Sequence, residues 1–148
     1  MYDINNVFTH DGAGTLAQTV TADAASTNVI DLDAAGVNVG GKRKGLYIVI
    51  KSIAAFATTV SIEIQLQTDS DSGFATALKE IQMWRFLAAQ MTAGALLVNQ
   101  ALPVWSYQRW LRVYFNVFTN ATTGSFFAAL SDCPEPHQTD LDQEMAGT

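Results

Sequence analysis

Histidine is the usual proton carrier near neutral pH, and this chain holds two, His10 and His137, each in a polar stretch near a terminus. Surface positions are expected for both. Cys133 is the single cysteine, four residues before His137, and a helix would present the two together to a metal. Pro134 and Pro136 lie between them and oppose such a helix, and two ligands fall short of a structural zinc site. Asp31 and Asp33 stand two apart on an expected strand and so share a face, and Asp69 and Asp71 repeat that spacing in a loop. Such pairs can share a proton or hold calcium. Neither is joined by the rest of a calcium-binding loop, so turn and capping roles are expected. The sequence carries no GxSxG, HExxH, CxxC or Walker glycine loop, and Gly12-Ala13-Gly14 lacks the further glycine and the helix of a dinucleotide fingerprint. The protein reads as a non-enzyme, with no cofactor and no metal.

The chemistry these residues do favour is contact. Trp105, Tyr107 and Trp110 cluster with Arg109 and Arg112 just after Leu102-Pro103. Trp, Tyr and Arg dominate protein–protein hot spots because they bury much area and keep a polar handle. The plainer reading fills the end of the fold with Tyr107 and Trp110 and pairs Arg109 and Arg112 with local acids. Tyr2, Asp3, Ile4 and Phe8 form a second candidate, aromatic anchors in a loop-like stretch that would lie on a partner and leave stability unchanged if removed. Lys42, Arg43 and Lys44 sit between glycines as an exposed turn, a reserve contact for an acidic surface.

The totals narrow the class. The chain has 148 residues, 49% of them hydrophobic and only 15% charged, below the usual quarter. A folded chain with so few charges leaves much uncharged surface to present to partners or to its own copies. The net charge of −6 repels phosphate backbones, so nucleic acid is disfavoured as a partner. No signal peptide is visible at Met1-Tyr2-Asp3-Ile4-Asn5, and no apolar run approaches the length of a bilayer span, so neither export nor membrane insertion is expected. A lone cysteine fits assembly in a reducing cytosol.

The elements that must position these residues read as β-strands. Thr59–Thr68 alternates Val60, Ile62, Ile64 and Leu66 with Ser61, Glu63, Gln65 and Gln67, a half-buried strand with one wet face. Trp110–Phe118 alternates Leu111, Val113, Phe115 and Val117 with larger amphipathic residues. Thr119–Gly124 turns, and Ser125–Ser131 returns to complete an expected hairpin. Leu46–Ile53, Ser26–Leu32 and Thr15–Val20 read as further strands. Ala75–Met91 is rich in helix formers, yet a strand through Lys79–Phe86 followed by a helical turn before Gly94 suits the β character of the rest. Residues 1–133 are expected to form one all-β domain, an antiparallel β-sandwich of jelly-roll type opened by an extended segment over 1–14. Residues 134–148 read as an acidic extended or mobile tail.

An ordered set of signatures then resembles a known family. Tyr2-Asp3 with Phe8, the run Thr27-Asn28-Val29-Ile30-Asp31-Leu32, Leu102-Pro103, Arg109-Trp110-Leu111-Arg112-Val113-Tyr114-Phe115, and Gly124 with Ala128-Ala129-Leu130 look like the capsid cement (decoration) proteins of tailed bacteriophages. That family is typified by the Bordetella phage cement protein. The similarity runs from about residue 2 to residue 132, with Trp110 where a tyrosine is expected, and the acidic tail matches less clearly. The resemblance implies a jelly-roll sandwich on the outside of a virion capsid, made in the host cytoplasm. Its implied partners are the major capsid protein and copies of itself, as a homo-oligomer (dimer or trimer). The competing classes are a carbohydrate- or ligand-binding jelly-roll module using Trp84, Trp105 or Trp110 as a stacking platform, and another virion part such as a tail or head-fibre subunit.

Overall fold

A computed structural model describes residues 6–10, 14–33 and 46–132. Within them six long strands carry the fold: β4 (Tyr47–Ala57), β5 (Ser61–Asp69), β6 (Lys79–Leu87), β7 (Leu96–Ala101), β8 (Trp110–Phe118) and β9 (Thr123–Ser131). Three two-residue strands precede them: β1 (Gln18–Thr19), β2 (Ala24–Ala25) and β3 (Ile30–Asp31). One sheet runs β1-β9-β4-β7 and the other β2-β8-β5-β6, with β3 also on β8. Every pairing is antiparallel. First pairs with last and the pairing proceeds inward, which is jelly-roll order. The expected fold class is the observed one.

The alternation in the sequence accounts for the long strands. Ile62, Ile64 and Leu66 of β5 and Leu111, Val113 and Phe115 of β8 point into the space between the sheets and are fully buried. Ile48 and Ile50 of β4 and Phe126, Ala128 and Leu130 of β9 meet them from the other layer. Residues 79–87 form a strand in spite of their helix-forming composition. Trp84 faces Ile64 and Phe86 faces Ile62 in register, so tertiary pairing outweighs a propensity of a few tenths of a kcal/mol per residue. A single 3-10 turn, Ala88–Gln90, follows.

Four expectations are corrected. β8 and β9 form no hairpin: β8 pairs with β5, β2 and β3, whereas β9 pairs with β4 and β1. The chain crosses from one layer to the other over residues 119–122, helped by Thr119 at φ 73, and the two strands meet face to face. Gly124 lands there at φ 139, and a Cβ on it would come within 2.2 Å of the Phe56 ring. The outer side of β5 is not uniformly wet, since Ser61 and Gln67 are buried. The N-terminal third is thinner in strand than expected: Thr15–Val20 reduces to Gln18–Thr19, and Ser26–Leu32 to Ile30–Asp31.

The fourth correction concerns the N-terminal segment. Val7 bridges to Ala129 and packs with Phe127, while Phe8 is fully buried in the main core. The Phe8 amide donates to the Ala128 carbonyl at 2.8 Å, and the Asn28 side-chain amide donates to the Val7 carbonyl at 2.8 Å. Residues 7–9 are therefore part of the sandwich, held by the last strand, and Phe8 is no contact for a partner. Tyr2, Asp3 and Ile4 lie outside the described residues, as do Lys42, Arg43, Lys44 and the acidic tail. Phe8→Ala is expected to cost about 3–5 kcal/mol of unfolding free energy, as for other buried phenylalanines, read as a shift of the urea midpoint at unchanged slope. A loss below about 1 kcal/mol would refute the core role.

Candidate interaction surface

The segment between β7 and β8 is closed by internal bonds and displays what remains. At its start the Leu102 amide donates to the Leu46 carbonyl at 2.8 Å, and the Leu102 side chain is buried. At its end Tyr107 is fully buried, and its hydroxyl donates to the Pro103 carbonyl at 2.8 Å. Burial pushes the Tyr107 phenol up to about 12. With both ends pinned, Val104 and Trp105 stand outside at 67% and 47% exposure. Tyr107 is thus the tether of this loop, and the plainer reading of it holds. Trp105 is the residue on show.

Beyond the tether, side chains lock the neighbouring loops. The Gln108 amide donates to Thr68 Oγ1 at 3.0 Å, and Thr68 Oγ1 donates to the Trp110 carbonyl at 2.8 Å. Gln108 Nε2 donates to the Ala77 carbonyl at 3.1 Å. Asp69 gathers the loop after β5: its Oδ1 accepts from the backbone amides of Asp71 at 3.0 Å and Ala77 at 3.1 Å. Burial raises the carboxyl pKa of Asp69, but the amides of Asp71, Ala77, Ser70 and Thr76 outweigh it and hold it below the usual 3.8. Asp69 and Asp71 therefore serve the turn.

The arginines are also committed. Arg109 makes a two-pronged pair with Asp31, Nε to Oδ1 at 2.8 Å and Nη2 to Oδ2 at 2.7 Å, and lies over the Trp110 ring at 5.1 Å. That hydrogen-bonded partner is the main cause that holds the Asp31 carboxyl below its ordinary value. The pair is surface-exposed and contributes little to stability, but its planar geometry fixes where the guanidinium points. Arg112 lies over Phe74 at 4.2 Å and Tyr114 at 5.4 Å. Its Nε donates to Gln67 Oε1 at 2.8 Å, Gln67 Nε2 to Gln65 Oε1 at 2.7 Å, and Gln65 Nε2 to Glu63 Oε1 at 2.8 Å. A chain of amides thus runs from a cation to an anion along the outer face of β5, each bond polarising the next.

Of the five residues grouped from sequence, then, Trp105 and Arg109 are exposed, Trp110 is half-buried beside Arg109, Arg112 is stacked and bonded within the sheet face, and Tyr107 is interior. Of the three tryptophans offered as a stacking platform, Trp105 alone stands well out in solvent. Trp84 faces Ile64 on the inner side of β6 and packs against the core, whereas Trp110 shares the outer parity of Arg112 on β8. Sequence reasoning missed Val104 and the exposed hydrophobics Leu78, Met83 and Leu87. Treating residues 79–87 as a sheet-edge strand would have found Met83 and Leu87, which share a parity.

The Bbp16 family model matches residues 15–130, which spans β1 to β9 almost completely. The chain belongs to the Bbp16 family. No curated protein matches it.

Tyr107→Phe removes one hydrogen bond and should cost about 1 kcal/mol at neutral pH. The phenol is raised in the folded state, so its contribution is fully present below its ordinary value of 10 and is lost as pH rises from 10 towards 12. Thermal melts between pH 9 and 12 should fall less steeply for Tyr107→Phe than for the wild type. Parallel curves would show that the tether does not titrate in this way.

Proposed function

We propose that this member of the Bbp16 family is a non-enzymatic structural protein of a tailed-phage virion. It binds the outer surface of the capsid and cements neighbouring major capsid protein subunits against the pressure of packaged DNA. The family's name suggests a Bordetella phage protein, and the jelly-roll sandwich suits the decoration-protein resemblance of the sequence. The observation that carries the reading is the Val104–Trp105 tip, an apolar and aromatic pair displayed on a loop pinned at both ends. A rigid aromatic projection loses little conformational freedom on docking, which is what makes tryptophan an anchor.

Clamping needs surface and valency rather than bond chemistry. A standard interface buries about 1,600 Å², and several such contacts acting together exceed each single affinity by roughly 10²–10⁴. The partners on this reading are the major capsid protein and further copies of this chain. Nucleic acid is disfavoured by the net charge of −6, which also keeps finished particles apart.

Purified protein mixed with undecorated capsids should co-sediment with them and raise the temperature at which they release DNA. Trp105→Ala should fold normally, because its side chain is half in solvent, and should bind about 30-fold more weakly, the equivalent of roughly 2 kcal/mol at a hot spot. Wild-type protein left in the supernatant at every capsid concentration would sink the reading.

A further inference from the structure

The strand β6 ends its sheet, and among the described residues no strand pairs with its other side. It is nine residues long, and a long open edge is a template for pairing with another chain. Its outward side chains follow from the register. Ser61 faces Leu87, Glu63 faces Arg85 and Gln65 faces Met83, while the alternate partners Ile62, Ile64 and Leu66 point into the core. Beyond Met83 the register shifts, because Leu66 faces Gln82 and Gln67 faces Glu80. The one extra residue in β6, Ile81, brings Glu80 onto the same outer side as Arg85, and the exposed Leu78 immediately precedes the strand.

The outer row therefore reads Glu80, Met83, Arg85, Leu87, with Leu78 just ahead of it. Leu78, Met83 and Leu87 are 48%, 48% and 55% exposed. With Leu78 the row is a palindrome in chemistry: apolar, acid, apolar, base, apolar. Laid antiparallel against itself with a two-fold axis at Met83, it places each Glu80 opposite Arg85 of the other copy and each Leu78 opposite Leu87. Met83 then meets its own counterpart. Displaced registers lose this. An axis at Arg85 or at Glu80 sets like charges opposite each other, and an axis at Trp84 sets Glu80 against Leu87. Direct cross-strand neighbours of opposite charge stabilise a pair, and like charges oppose it.

We propose that two copies of this chain pair antiparallel through β6 about a two-fold axis at Met83, joining their β2-β8-β5-β6 sheets into one continuous sheet. The occupant of the edge is a second copy because the row complements itself in charge and in apolar contact, the isologous condition for a closed dimer. Arg85 is preset for the role. Its Nε and Nη2 donate to Ser61 Oγ at 3.2 and 3.1 Å, and its guanidinium lies over the Phe118 ring at 4.6 Å, which leaves Nη1 to meet the carboxylate of the other copy. The self-association in the proposed function thereby acquires a specific edge, yet the pairing does not depend on capsid binding.

Sedimentation velocity on the full chain without capsids tests it. Wild type should sediment as a dimer. Glu80→Arg and Arg85→Glu should each raise the dimer dissociation constant by about tenfold or more, and the two together should restore it to near the wild-type value. Because two purely structural defects would add rather than cancel, recovery in the double variant is the decisive readout. Separately, Met83→Cys in a Cys133→Ser background should form a disulfide-linked dimer on oxidation, whereas Leu87→Cys should not. A monomer at hundreds of micromolar, or a dimer indifferent to all three charge variants, overturns the pairing. A monomer that still coats capsids would remove the pairing and keep the cement reading; a dimer that ignores capsids would do the reverse.

Discussion

Two pleated layers become one body only where side chains from both meet in the middle. Here the meeting is a stack of rings: Phe115 of β8 lies on Phe126 of β9 with centroids 5.0 Å apart and planes 4° from parallel. Phe56 of β4 closes on Phe126 at 4.5 Å. That contact explains why consecutive strands part company after residue 118, since a hairpin would set β8 and β9 side by side and leave the rings with no layer to face. It also explains why Gly124 must be bare, because the Phe56 ring occupies the space of its missing Cβ. Strand order, crossover and turn conformation all serve one aromatic stack.

How much of this could be read in the residues depends on what alternation reports. In β5 and β8 a period of two identified inward side chains, since Ile62, Ile64, Leu66, Leu111, Val113 and Phe115 are all interior, but Val60, expected with them, precedes β5 and is 60% exposed. Alternation says nothing of which strand lies alongside, so the β8–β9 relation was misread. Phe8 escaped because one apolar residue in a short polar stretch shows no period, and only its pairing with Ala128 reveals it. In the loop before β8 the residue types singled out Trp105, which the fold leaves exposed, but type cannot separate a displayed ring from a tether. Tyr107 has the same hot-spot character and spends it on Pro103. The β6 row was hidden for another reason: its one extra residue breaks the alternation that would have exposed it.

A chain with few charges has used the described ones economically. Arg85, Arg109 and Arg112 each rest on an aromatic ring, and each also donates to a polar side chain of its own fold. Flat contact on a ring orients a guanidinium without removing its charge. The outer face of the β2-β8-β5-β6 sheet is consequently a fixed pattern of dipoles, running from Arg112 through Gln67 and Gln65 to Glu63. Such a surface resists wetting-driven rearrangement and offers any neighbour the same geometry on every encounter.

The bridge between Val7 and Ala129 has a temporal consequence. A growing polypeptide exposes Val7 early, but the strand that receives it is among the last to be made. At about 5–20 residues per second that interval is roughly 6–24 s, during which Phe8 and the apolar faces of β4 and β5 lack their final cover. Maturation of this molecule is therefore a post-translational event. The first ordered contacts of the sandwich are thus completed by nearly the last strand made.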